Sequence, residues 1–251
     1  MANTIHIALA PEVLTKIGGF PITNTMVTSF VVMILLIAVS FFVGRNMKLI
    51  PGKIQTLFET IFGGVIDYME ETLESRKLAV RFFPLIMTLF LFIFTANLLE
   101  FTPGIGSIGI ISHGDVGQSS EFIPLFRSVN TDLNVTLALA IISFLAIEFT
   151  GVLVIGFLKY VGKFVNFKSM LGFLIGIIEL FSEVARLISF SFRLFGNIFA
   201  GEVLILVIMF FVPVILPVPL MVFELFVGFM QAAIFSLLTL FFVKIAVTEP
   251  H

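Results

Sequence analysis

The chain contains no cysteine, and its three histidines, His6, His113 and His251, stand far apart. Disulfides and thiolate chemistry are excluded, and no histidine-based metal cluster is expected. Charge is scarce as well: Asp, Glu, Lys and Arg make up 12% of the 251 residues, where a soluble domain carries about 25%. Half of a solvated surface is missing, so the solvent this composition calls for is lipid. The net charge of −2 gives the chain as a whole no electrostatic pull on nucleic acid or anionic surfaces. Neither H-E-x-x-H nor G-x-S-x-G occurs, which argues against an intramembrane enzyme. A G-x-G-x-x-G match at Gly104, Gly106 and Gly109 lies in a loop without the strand and helix that give it meaning. There is no internal repeat of the kind common in secondary transporters. Residues 1–25 lack a basic stretch followed by an apolar one, so no cleavable signal peptide is expected.

What is present is hydrocarbon. Apolar residues make up 59% of the chain, with 33 phenylalanines, and the mean hydropathy is +1.18. A bilayer core of about 30 Å needs roughly 20 apolar residues in a helix whose backbone groups are satisfied internally. Such runs occur at Met26–Val43, Phe82–Phe101, Leu133–Leu158, Ser169–Val212 and Leu220–Val247. The expected fold is an all-α polytopic membrane protein: a single membrane domain over 1–251 with five membrane helices. The 169–212 run is the anomaly, because one straight helix of that size is about 66 Å long. Two spans with a turn near Gly196–Asn197 would also fit. No proline interrupts the run, however, so one long, strongly tilted helix is favoured, followed by a second long tilted helix at 220–247.

Short-loop basic residues set the expected orientation. The first connection holds Arg45, Lys48, Lys53, Arg76, Lys77 and Arg81, and the third holds Lys159, Lys163 and Lys168. The second has only Arg127, beside Asp115, Glu121 and Asp132. The first and third connections are therefore expected to face the cytoplasm, with the N-terminus outside and the C-terminus cytoplasmic. Within the first connection, Ile54, Leu57, Phe58, Ile61, Phe62, Val65, Ile66, Met69 and Leu73 follow helical spacing. Residues 53–75 are read as an amphipathic helix along the cytoplasmic interface. Packing of that helix against other protein is the alternative.

Polar residues inside the apolar runs carry the functional signal, because they are costly in lipid and mark ion pathways or paired contacts. Glu179, Ser182, Arg186, Ser189, Arg193 and Asn197 are spaced by three or four, a continuous stripe on one helix face. Gly172, Gly176, Ala200 and Gly201 extend that face at its two ends. Arg193 lies near the middle of its run between Phe192 and Leu194. A guanidinium does not deprotonate, so it needs a carboxylate or a water-filled cavity. A structural ion pair, for instance with Glu224, is the bland reading. Glu224, Gly228 and Gln231 share one face of the last run, and Glu202 lies about 180° from Arg193 around its helix. Two polar regions separated by a fixed positive charge suit an ion carrier that must not leak. Asn97 and Glu100 stand at the outer end of the second span, while Glu148 is read as a packed carboxyl group.

At Ser191–Glu202 the residues read SFRLFGNIFAGE, which closely resembles the signature of subunit a of F-type ATP synthases. Glu179 stands fourteen residues before Arg193, as a glutamate does in that family. Gln231 lies in GFMQAAIF, and NLLE (Asn97–Glu100) and TDLNVT (Thr131–Thr136) look like further family elements. The resemblance covers most of the chain and implies an ion-translocating stator subunit that couples proton flow to rotation of a ring of c subunits. By that resemblance Arg193 is the stator arginine facing the ring. Asn197, Glu202, Glu224, Gln231 and Glu100 belong to the outer half-channel, and Glu179 and Ser182 to the cytoplasmic one. The implied partners are the c-subunit ring, the b subunits of the peripheral stalk, the lipid bilayer and, indirectly, the soluble F1 head. No nucleic acid, metal or cofactor is expected, and no catalytic chemistry on this chain itself. A bacterial inner membrane is the expected location. Many members carry histidine in place of either Glu202 or Glu224, whereas this chain has glutamate at both, so a relay through an imidazole is not expected here. A secondary transporter or channel with a structural Arg–Glu pair is the rival reading, disfavoured by the missing repeat.

Overall fold

The computed structural model describes residues 10–102, 108–112, 121–156, 160, 162, 170–213 and 215–247. The three histidines, Asp115, and Lys159, Lys163 and Lys168 lie outside these. Among the described residues there are six long helices: α1 (Asn24–Arg45), α2 (Lys53–Leu73), α3 (Arg76–Glu100), α4 (Leu133–Ile155), α5 (Met170–Phe211) and α6 (Pro217–Val247). All but α2 are long and apolar enough to cross a membrane. The fold is mostly helical and polytopic, as the composition requires.

Helix α5 is continuous over 42 residues. It passes through Gly196 and Asn197 without a break, so the alternative of two spans with a turn there does not hold. Helix α6 starts at Pro217, three residues before the apolar run, since proline is preorganised for the first helical turn and has no N–H to satisfy there. Helix α4 stops at Ile155, where Gly156 takes φ +93°, the left-handed conformation that commonly ends a helix; the expected end at Leu158 lies outside the described residues.

Two short antiparallel hairpins were not anticipated. Strands β1 (Val13–Ile17) and β2 (Phe20–Thr23) pair across Gly18 and Gly19. Both glycines have positive φ, +59° and +87°, as a two-residue hairpin turn demands. Strands β3 (Gly109–Ser112) and β4 (Glu121–Pro124) form the second.

The chain divides into two compact units. The first comprises Met1–Phe42, Leu91–Thr136 and Leu194–Ala232; the second comprises Val43–Phe90, Leu137–Arg193 and Ala233–His251. In the first unit a buried polar knot holds the start of α1. The Thr25 hydroxyl donates to Asp132 at 2.6 Å, and the Arg127 N–H donates to the Thr28 hydroxyl at 3.2 Å. Val32, Ala96 and Val129 pack together beside it. In the second unit Met69 and Leu73 of α2 join Phe82 and Ile86 of α3, Ile147 of α4, and Leu240 and Val243 of α6 in one apolar core. Phe62 meets Phe83 edge-on at 5.8 Å. One face of the amphipathic α2 is thus consumed by packing on protein.

Candidate functional site

In the first unit, three of the carboxylates singled out by the sequence come together. Glu100, at the end of α3, accepts a hydrogen bond from the Ser128 hydroxyl at 2.8 Å. Glu202 of α5 lies beside the Thr131 hydroxyl, which donates to the Ser128 carbonyl at 3.0 Å, and feels the charge of Arg127. Glu224 of α6 is 5% exposed, and a Cβ placed on Gly201 would overlap its carboxylate. Gly201 is therefore glycine because a carboxylate occupies the space a side chain would take. Glu100, Glu202 and Glu224 are near enough to act on one another electrostatically. Among the described residues, Glu202 Oε2 and Glu224 Oε1 are buried without a hydrogen-bond partner. Such oxygens can accept a proton or a water at little structural cost.

A second polar group of the same unit lies on α3, α6 and the segment before α4. Asn97 donates to the Gly228 carbonyl at 3.0 Å and accepts from Asn130 at 2.6 Å. A Cβ on Gly228 would stand 2.9 Å from the Asn97 Cβ, so this glycine too is dictated by close approach. Asn197 of α5 donates to Gln231 Oε1 of α6 at 2.9 Å, and Gln231 is 3% exposed.

The second unit holds Arg193, which is exposed. Among the described residues it makes no ion pair and no hydrogen bond, so the bland reading of a structural pair finds no support. The ion pair that does occur on α5 belongs to Arg186, whose guanidinium meets Glu183 at 2.6 Å and lies 3.9 Å over the Phe242 ring. Glu183 was passed over in the sequence, although its i,i+3 spacing to Arg186 was the available signal. The polar stripe therefore splits: Arg186 is covered by protein, whereas Ser182, Ser189, Arg193 and Asn197 are open. Ser182 donates to the Ile178 carbonyl at 2.9 Å, and Glu179 is half-buried. The structure does not gather these two into a cluster like that of the first unit. Glu148 accepts from the Tyr160 hydroxyl at 2.9 Å, in agreement with its reading as a packed carboxyl. Burial, and then the charge of Glu148, push the Tyr160 phenol above its ordinary pKa, so the hydroxyl stays a donor.

The profile of the ATP synthase A chain family matches residues 26–244. An ATP synthase subunit a from Campylobacter jejuni (strain 81-176) is 35% identical over 208 residues, 83% of each chain. The sodium ion specific ATP synthase subunit a of Propionigenium modestum is 34% identical over 239 residues, 94% of this chain and 78% of that protein. A subunit a from Campylobacter concisus is 30% identical over 208 residues, 83% of this chain and 82% of that protein.

Proposed function

The chain belongs to the ATP synthase A chain family, and from that premise we propose that it couples transmembrane proton flow to rotation of a c-subunit ring. It works as the stator of that motor, held by the b subunits of a peripheral stalk and linked through them to the soluble head. The observation that carries this reading is Arg193: a permanent cation just past the middle of a 42-residue apolar helix, exposed and without a carboxylate among the described residues. Such a charge is untenable against lipid. It becomes tenable against a partner that presents a membrane carboxylate, as each rotor subunit does in this reading.

In the proposed cycle, Glu100, Glu202 and Glu224, with Asn197 and Gln231, form the outer half-channel. The Ser128 hydroxyl, which donates to Glu100 and can also accept, joins this group to the outer segment. A proton delivered here neutralises a rotor carboxylate, which then turns away into lipid. After nearly a full revolution the proton leaves through the cytoplasmic half-channel, to which we assign Glu179 and Ser182. Arg193 attracts the re-ionised carboxylate and blocks direct passage between the two paths. Each proton crossing 100 mV releases about 2.3 kcal/mol, so several crossings drive one ATP. The length of α5, about 63 Å at 1.5 Å per residue, requires a strong tilt within a bilayer. The N-terminus is assigned to the outer side of a bacterial inner membrane and the C-terminus to the cytoplasm.

The test is Arg193→Ala in the assembled complex. ATP-driven acidification of inverted vesicles should be abolished, and passive leak should rise once the soluble head is stripped. Arg193→Lys should be a poor substitute, because an ammonium is a deprotonatable point charge without the guanidinium fork. Pumping at near wild-type rate in the alanine variant would overturn the mechanism.

A further inference from the structure

The amphipathic helix α2 carries more apolar surface than the protein covers. Val65, Met69 and Leu73 pack into the second unit's core. Beside that face runs a second apolar stripe, with Ile54 73%, Leu57 59% and Ile61 47% exposed. At 100° per residue these three lie within about 60° of one another around the helix. The stripe continues backward into the turn between α1 and α2, where Leu49 is 104% and Ile50 87% exposed.

Three cations flank this apolar surface. Arg45 ends α1, Lys48 lies in the turn and Lys53 opens α2; all are exposed, and among the described residues none forms an ion pair. The turn itself is braced: Gln55 accepts from the Lys48 N–H at 3.0 Å and donates to the Lys48 carbonyl at 2.9 Å. The acidic residues of α2 are elsewhere. Glu59 lies about 140° from Ile54 around the helix, and Asp67 and Glu70 are bound by Arg76 at 2.8 and 2.7 Å. The net charge of the chain is −2, yet at this corner it is locally positive.

We infer that the α1–α2 elbow is a docking surface for anionic phospholipid, with Arg45, Lys48 and Lys53 holding headgroup phosphates and Leu49, Ile50, Ile54 and Leu57 entering the acyl boundary. Covalent geometry favours lipid over a protein partner. Helix α1 is long and apolar enough to cross a membrane, and only residues 46–52 separate it from α2. The start of α2 is therefore held within one short turn of the bilayer surface. Amphipathic helices with cations bordering the apolar face bind interfaces in this way, and the electrostatic share of that binding is screened by salt.

Because the chain has no cysteine, a single Ile50→Cys substitution in the complete complex (made cysteine-free elsewhere) carries one environment-sensitive fluorophore. The labelled complex is reconstituted in mixed vesicles in which either phosphatidylglycerol or phosphatidylcholine is brominated, and quenching by the two is compared. Quenching by the anionic lipid should exceed that by the zwitterionic lipid by about threefold, since each cation near the surface favours anionic lipid. The ratio should fall toward one at 0.5 M salt (a value about threefold above the screening onset) without any further mutation. It should fall likewise in Arg45→Gln/Lys48→Gln/Lys53→Gln. Equal quenching by both lipids at low salt overturns the proposal. So does the absence of quenching by either, which assigns the surface to a protein of the stalk instead.

Discussion

Arg186→Ala removes the guanidinium from Glu183, a carboxylate whose side chain is 4% exposed, while that of Arg186 is 16% exposed. Breaking a buried pair from one side costs about 3–5 kcal/mol, because the remaining charge keeps its desolvation penalty. The partial exposure of Arg186 argues for the lower end, about 3 kcal/mol, even with loss of the Phe242 contact, which is worth about 0.5–2 kcal/mol. Replacing both partners, as in Glu183→Leu/Arg186→Leu, removes the charge together with its penalty. That variant should unfold within about 1 kcal/mol of wild type. The assay is a double-mutant cycle on the purified subunit in mixed micelles, with unfolding free energy as readout. With Glu183→Leu and Arg186→Leu as the single variants of the cycle, each losing about 3 kcal/mol, the coupling between the positions should be about 5 kcal/mol. In the assembled complex the double-leucine variant should still pump, unlike Arg193→Ala, because Arg186 is engaged by protein whereas the proposed role of Arg193 is in the ion path. Single-variant losses below about 1 kcal/mol, or simple additivity in the double variant, refute the reasoning.

Gly201→Ala places a methyl group where the Glu224 carboxylate lies. The carboxylate is the end of a flexible side chain, so the helices should hold and the charge should move. The complex should assemble, with pumping down by about tenfold to a hundredfold. Glu224→Asp in the same background, one methylene shorter, should restore part of it. Unchanged pumping in Gly201→Ala counts against a role for Glu224. Gly228→Ala should behave differently. Its Cβ would stand 2.9 Å from that of Asn97, which is pinned by bonds to Gly228 and Asn130. Overpacking of about 1–3 kcal/mol is expected in unfolding measurements, and a neutral result would mean that Asn97 yields.

The membrane helices were legible because lipid removes the ambiguity: each backbone polar group must close within its helix, so an apolar run of sufficient length has one structural outcome. The continuity of α5 followed from the absence of proline. The first hairpin was legible too, in Gly18–Gly19 between Ile17 and Phe20, a turn signal that lies outside every apolar run. The polar stripe on α5 was correct in azimuth and incomplete in meaning. Periodicity places Arg186 and Arg193 on one side of the helix, but whether protein covers each depends on other chain segments. Phe242, which caps Arg186, lies 56 residues further on. Glu183 lies about 60° from Arg186 around the helix, adjacent to the stripe rather than within it, and was missed for that reason.

The placement of Glu202 shows what one helix can and cannot tell. Its position about 180° from Arg193 required a second polar environment, and the structure supplies one from outside the membrane-length runs. Ser128, Thr131 and Arg127 precede α4, and although Thr131 opens the TDLNVT element, none of the three was singled out as a site residue. Glu224 joins from α6 through the room left at Gly201. The glycine of the A-G-E motif is thus a matter of volume and not of backbone conformation, since only Gly18, Gly19 and Gly156 among the described glycines have positive φ. A glutamate at 224 and a glycine at 201 are one decision made on two helices. Any change of side-chain size at either position has to be compensated at the other before the chemistry of the carboxylates can be compared with that of an imidazole.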